Sequence, residues 1–369
     1  MMKRLKKLTA LLTAIGMVAA MSACGSDAAS SAAASSAASA GTEAAPAATE
    51  ATAPAEAGSA AEAGSAAETE TAAADGDTYL IGICQLVQHE ALDAATQGFK
   101  DALTEKLGDK VKFDEQNASG DSANCSTIVN GFLSENVDLI LANATAPLQA
   151  AAAATSEIPV LGTSVTDYAT ALEISDWTGT VGNNVSGTSD LAPLDQQAAM
   201  IKELFPDAKK VGLLYCSAEP NSVYQCDTIE GYLKDEGYEV ERYAFTDTND
   251  VTSVTQTACD NSDVIYIPTD NTAASNTEAI ANVVLPAGVP VVAGEEGICK
   301  GCGVATLSIS YYDLGYTTGE MAYKILVEGQ DVTTTPVETA KTVTKKYNAA
   351  NCETLNITVP DDYEAISEE

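Results

Sequence analysis

The 369-residue chain has one histidine, one tryptophan and five phenylalanines. Its 18 Lys and Arg face 53 Asp and Glu, a formal charge of −35 at pH 7. Each shortage removes a class of function. Nucleic-acid binding needs a basic face to displace counterions from phosphates, and too little basic charge is present to build one. Direct adhesion to anionic lipid fails for the same reason. The lone imidazole, His89, has no second histidine to share a metal and no convincing nucleophile–base set around it. No catalytic residue, metal site or cofactor is expected. The apolar run at residues 8–20 is too short to span a bilayer comfortably.

That run reads better as part of a leader. Lys3, Arg4, Lys6 and Lys7 precede it, and Met21-Ser22-Ala23-Cys24 closes it, so residues 1–23 are a signal peptide. Small residues before a cysteine also suit a lipoprotein signal, in which Cys24 takes the lipid and becomes the first mature residue. The alternative is an ordinary signal with an incidental cysteine. Residues 25–78 are nearly all Ala, Ser, Thr, Glu and Gly, without Lys, Arg, Leu, Ile, Val or an aromatic. Such a segment cannot bury enough apolar surface to order itself. With Cys24 it forms a disordered tether (24–78), about 40 Å long as a flexible coil.

From residue 79 the pattern changes to strand, polar loop and helix. Residues 79–84 (YLIGIC) are one buried strand, and Leu92, Ala95, Phe99 and Leu103 recur at helical spacing. Strands follow at 111–113, 137–142 (VDLILA) and 158–162, with a last strand and a crossing in 177–190. The alternation then restarts, with strands at 211–216, 239–245, 264–267 and 289–293. A strand at 304–309, a helix at 311–328 and late strands at 337–343 and 355–359 complete the chain. A folded part of this length suits two cores better than one. The expected class is α/β, with two doubly wound lobes joined by a multi-strand hinge. The first lobe would hold 79–190 plus about 308–332, the second 191–307 plus about 333–363.

Open α/β sheets bind ligands beyond the carboxyl ends of their strands. Those positions carry Gln85 and His89, Asn143 and Thr145, and Thr163 and Ser164 in the first lobe. In the second they carry Glu219, Asn221, Ser222, Asp270, Asn271 and Glu295. The helix start at Thr145 suits an anion such as an α-carboxylate, with Thr163 and Ser164 as further hydroxyl donors. An ammonium would go to Asp270 first and Glu219 second. Helix capping is the competing use of every one of these side chains. Gln85 and Gln149 reach a ligand's polar edge, Tyr168 and Tyr215 offer aromatic walls, and Trp177 packs near the crossing. His89 shapes the first binding loop, and Tyr311 and Asp313 follow a strand close to the hinge. Of the eight cysteines after Cys24, only Cys299-Lys300-Gly301-Cys302 has a telling spacing. It reads as a tight local disulfide or two free thiols, because a thioredoxin-like pair would open a helix.

Several stretches carry a resemblance. They are GICQLVQHEALDAATQGF (82–99), DLILANATAPLQ (138–149), IPVLGTSVTD (158–167), YIPTDN (266–271) and SISYYDLGYTTGEMA (308–322), with NNVSGTSD (183–190) at the interlobe stretch. In this order they resemble the TrpX-like ABC-transporter substrate-binding lipoproteins, which have a type I periplasmic-binding-protein fold. The resemblance implies a ligand clamped between lobes, and aromatic amino acids (Trp, Tyr, Phe) as ligands. It also implies an ABC permease with its ATPase as partners, and a lipid anchor on the outer face of the cell membrane. Two features depart from the pattern: the CKGC run, and Glu90 where many relatives carry proline. A lipid-anchored sensor subunit, or a sugar or nucleoside binder of the same fold, is the alternative.

Overall fold

The computed structural model describes residues 78–367. The leader, Cys24 and nearly all of the tether lie outside them. Thirteen strands and twelve α-helices are present among the described residues. The first sheet is built from β1 (Tyr79–Gln85), β2 (Val111–Asn117), β3 (Leu139–Asn143), β4 (Val160–Val165) and β5 (Val185–Ser189). Between them run α1 (Glu90–Leu107), α2 (Ser122–Glu135), α3 (Thr145–Ala154) and the single turn α4 (Tyr168–Ala171). After the crossing come α5 (Leu194–Leu204), β6 (Lys210–Cys216), α6 (Pro220–Asp235), β7 (Glu239–Phe245), α7 (Val251–Asn261) and β8 (Val264–Ile267). Next are α8 (Asn271–Ala274), α9 (Thr277–Ala287), β9 (Val291–Ala293), α10 (Glu296–Cys302), β10 (Ala305–Ser308) and α11 (Tyr311–Leu326). The chain closes with β11 (Glu338–Thr339), β12 (Thr344–Tyr347), α12 (Ala349–Leu355) and β13 (Glu364–Ala365).

The strands form two sheets of the same winding. One runs β11-β5-β4-β3-β1-β2, the other β13-β12-β10-β9-β8-β6-β7. Each starts with an internal strand flanked by its second and third, so the order reverses beside β1 and beside β6. Every pairing is parallel except β10 with β12. Parallel strands are covered on both faces, which is why they read as unbroken apolar runs. In the first lobe Ile81, Phe99, Leu139, Leu161 and Met321 fill one face, and Cys84, Phe132, Ile140 and Tyr168 the other. In the second lobe Leu213, Tyr215, Ile229 and Tyr266 fill one face, and Leu214, Phe245, Ile265 and Val291 the other. Tyr168 and Tyr215 are thus core residues, and Trp177 stacks on Tyr168 with ring centroids 6.5 Å apart.

The chain passes between the sheets three times: after β5, after β10, and between β11 and β12. The late segment divides differently from the sequence expectation. β11 pairs with β5 in the first sheet, whereas β12, placed in no strand from sequence, pairs with β10 and β13 in the second. The expected strand at 355–359 is instead the end of α12 and a loop, with Ile357 and Val359 packed on the second core. The CKGC run is helical, inside α10, and Cys299 and Cys302 are buried free thiols whose ionisation burial pushes up.

The first core closes by direct backbone contact between α1 and α11. A Cβ on Gly315 would land on the Ala95 carbonyl, and one on Gly98 would land on the Tyr312 carbonyl. Gly315→Ala therefore lowers stability by about 1–3 kcal/mol. Gly131→Ala, on α2 with nothing within 4 Å, is neutral or raises it by about 0.5–1 kcal/mol. Urea midpoints of the two variants check this; equal midpoints would refute the tight helix pair.

Candidate ligand-binding cleft

The carboxyl ends of the two sheets face each other across a tight cavity with about 10 Å³ of free space. That is room for about one water molecule, so the lobes stand closed on each other here and must part to admit a solute. His89, Ala91, Leu92, Ser164 and Thr166 line it from the first lobe. Asn221, Thr269, Asp270, Asn271, Ala274 and Glu295 line it from the second, and Asp190 and Tyr311 lie at the crossings. His89, Ser164, Asn221, Asp270, Asn271 and Glu295 were expected from sequence. The lobes also touch directly here: His89 Nε2 is 3.2 Å from Asn271 Oδ1, and Gln225 Nε2 donates to Thr166 Oγ1 at 3.3 Å.

The other expected residues are brought close but not into the cavity. Gln85 is bonded within its own lobe, accepting from Thr96 Oγ1 at 2.7 Å and donating to Asp93 at 2.7 Å. Asn143 Nδ2 donates to the Leu92 carbonyl at 2.8 Å and to Thr96 Oγ1 at 2.9 Å. Thr145 is buried at the start of α3, Gln149 donates to the Ala171 carbonyl, and Thr163 accepts from Thr188 Oγ1. Tyr215 and Ser222 are buried inside the second lobe, and Glu219 faces a neighbouring crevice. These side chains hold the loops rather than face the cavity.

The carboxylates decide what the cavity can bind. Glu219 accepts from Asn221 Nδ2, from both nitrogens of Asn271, and from the N–H and hydroxyl of Thr272. Asp270 caps α8 through Ala273 N–H at 2.8 Å and takes Cys216 N–H at 2.6 Å. Glu295 caps α10 through the N–H groups of Gly297 and Ile298. All three are engaged by their own lobe, which weakens the expectation that Asp270 or Glu219 receives an ammonium. Asp190 differs. Tyr311 donates to its Oδ2 at 2.8 Å, while Oδ1 is buried and has no partner among the described residues. Burial pushes the Asp190 carboxyl up, and the Tyr311 hydrogen bond, with the Thr166 hydroxyl near it but closing no hydrogen bond, pulls it back toward the ionised form.

Two more cavity-lining atoms share this condition. Ser164 Oγ and His89 Nδ1 are buried and unpartnered among the described residues. Ser164 holds a left-handed backbone, φ 54°, strain that a side chain turned to a special use would justify. Burial pulls the His89 imidazole below its usual value. Sequence reasoning missed Asp190, Thr166 and Thr269, and put Tyr311 at the hinge. The signal was there: Asp190 directly follows β5, at the same strand-end position as the residues that were chosen.

Residues 80–369 match the family described as ABC transporter substrate binding protein. This chain belongs to that family. A tyrosine-binding protein of Clostridioides difficile strain R20291 is 38% identical over 262 residues, 70% of this chain and 75% of its own length. An ABC domain of Streptococcus pneumoniae solved with L-Trp has a TM-score of 0.75 at 31% identity, covering 79% of this chain and all of that one. A ligand-free, open substrate-binding protein with adhesive properties from Clostridium difficile covers the same shares at 35% identity, with a TM-score of 0.61. Identity is higher to the open structure, yet the overall fit is closer to the L-Trp complex. The fold is the two-lobed type I periplasmic-binding fold. Members of this family work outside the cytoplasm, hand a small molecule to a permease driven by an ATPase, and are normally not enzymes. No helix among the described residues is long and apolar enough to cross a membrane.

The saturated carboxylates make stability pH-dependent. Burial pushes Glu295 from 4.5 up to about 7, and burial together with Glu219 pushes Asp270 up to about 8. A raised folded value means that the folded protein keeps a proton the unfolded chain releases. The stability so gained is complete below the unfolded value and is lost as pH rises through the folded one. Glu295→Gln should therefore flatten the fall in stability between about pH 4.5 and 7, by up to about 1.4 kcal/mol per pH unit. Denaturant midpoints across that range check it; an unchanged slope would show that Glu295 is ionised throughout.

Proposed function

We propose that this chain is the solute-binding lipoprotein of an ABC importer and that it captures one aromatic amino acid in the interlobe cavity. The observation that carries the reading is the pair of unpartnered polar atoms sealed there, Asp190 Oδ1 and Ser164 Oγ. A buried carboxylate oxygen without a donor asks for a cation, and the ligand's α-ammonium supplies one. The Ser164 hydroxyl donates to the α-carboxylate. Tyrosine and tryptophan as ligands of similar proteins support an aromatic side chain, for which the lobes part from the tight spacing seen here.

The mechanism is lobe closure. Contacts to the ligand from both walls exist only when the lobes meet, so the ligand favours the closed state by its differential affinity for it. The closed form then docks on the permease. Cys24 carries the lipid, and the acidic, Ala-rich segment after it tethers the lobes above the membrane. The protein performs no chemistry on its ligand.

Thermal unfolding against amino acids, sugars and nucleosides tests the ligand class. Tyrosine or tryptophan should raise the melting temperature with concentration; a rise with sugars or nucleosides alone would overturn the amino-acid reading. Asp190→Asn should weaken amino-acid binding by about 2–5 kcal/mol, read by calorimetry, because the ammonium loses its charged partner. Full affinity in that variant would move the ammonium site elsewhere.

A further inference from the structure

A chain of hydrogen bonds fixes the state of His89. Glu219 receives five donors, so it presents acceptors only. Asn271 Nδ2 lies 2.7 Å from Glu219 Oε2. Turning that amide over would set oxygen against oxygen, so the amide orientation is determined. Asn271 Oδ1 therefore faces His89 Nε2, at 3.2 Å. An amide oxygen only accepts, which places the ring proton on Nε2. Burial keeps the ring neutral. Nδ1 is left as a bare lone pair, shut off from solvent, without a partner among the described residues, in the wall of the ligand cavity.

Asp190 and Tyr311 lie at the crossings, with Ser164 and Thr166 after β4. His89 lines both the cavity and the outer crevice that runs past Glu90 and Lys300, so it stands at the mouth. The apolar lining is Ala91 and Leu92, which follow His89 at the start of α1, and Ala274 at the end of the turn that carries Asn271; Ala91 also packs against Tyr311. For an amino acid whose ammonium meets Asp190, His89 and these apolar residues are the lining left for its side chain.

We propose that His89 Nδ1 accepts a hydrogen bond from a donor on the ligand's ring, and so selects side chains with a ring O–H or N–H over phenylalanine. This rests on the aromatic-amino-acid reading above. Tyrosine brings a phenolic O–H and tryptophan an indole N–H. Phenylalanine brings neither and leaves the lone pair dry and unpaired when the lobes close. Sites that hydrogen-bond a substrate's O–H or N–H reject analogues lacking it for this reason.

Calorimetric titration of the full chain with L-tyrosine, L-tryptophan, L-phenylalanine and 1-methyltryptophan tests the proposal. Tyrosine or tryptophan should bind at least about tenfold more tightly than phenylalanine. The methylated indole should fall toward the phenylalanine level. His89→Phe, which keeps a ring without an acceptor, should collapse the preference, and His89→Gln should restore part of it. The ratio of affinities is read, so a general loss of packing does not imitate the effect. Phenylalanine binding within about threefold of the better of the other two would overturn the proposal with no variant needed. An undiminished preference in folded His89→Phe would overturn it too. Binding of no aromatic amino acid would refute the broader reading and this one with it, whereas binding of all three alike would refute this one only.

Discussion

Asp190 is sealed between the lobes with one oxygen held by Tyr311 and the other unpartnered. Removing a charge from water without a counter-charge costs several kcal/mol. The cavity wall supplies acidic groups and no Lys or Arg: its titratable members are His89, Asp190, Asp270, Glu295 and Tyr311. A closed, empty cleft is therefore electrostatically poor. Opening returns Asp190 to water; a ligand ammonium supplies the missing cation without opening. The two remedies belong to two different conformations, and that is what lets a small solute move the equilibrium between them. The charge of the chain as a whole, −35, works in the same direction.

The other carboxylates build walls. Asp270 ties the end of β6 to the start of α8, through Cys216 and Ala273. Glu219 ties the start of α6 to the same turn, through Asn271 and Thr272. On the facing wall Asn143 donates to Thr96, Thr96 to Gln85, and Gln85 to Asp93. Each network joins loops that follow different strands. Loops held this way lose less freedom when a ligand arrives, so more of the contact energy remains as affinity. Residues that touch no ligand still set how strongly it is held.

The lobes were legible in the sequence because their strands are buried on both faces and their helices on one. VDLILA and VGLLYC have no other good reading. The late strands failed for the opposite reason. β12 is TKKY, with Lys345 bridging to Glu203 and Asp362 and Lys346 to Glu296, so its charges hide a strand that pairs on both edges. The segment at 355–359 alternates like a strand, yet Asn356 takes a left-handed turn that ends α12 there. CKGC became helical because Glu295 caps it and Gly301 lets Thr277 approach where a Cβ would not fit. In the cleft, position was legible and role was not. Asp190 and Asp270 both follow strands, but only Asp270 meets the N–H of Cys216, 54 residues away in the chain. No local pattern carries that encounter, which together with the cap on the Ala273 N–H engages both Asp270 oxygens.

The same dependence on distant partners reaches the ligand's ring. The tautomer of His89 is set by Asn271, whose amide is set by Glu219, and both of these belong to the second lobe while His89 belongs to the first. With the lobes apart, nothing in the second lobe holds the Nε2 proton, and water serves either nitrogen. The bare lone pair at Nδ1 exists as a defined acceptor only when the lobes meet. Discrimination between ring chemistries then arises in the step that forms the closed state, not in the first encounter with the open one. A permease that recognises the closed state consequently receives a solute already tested at its ammonium by Asp190 and at its ring by His89.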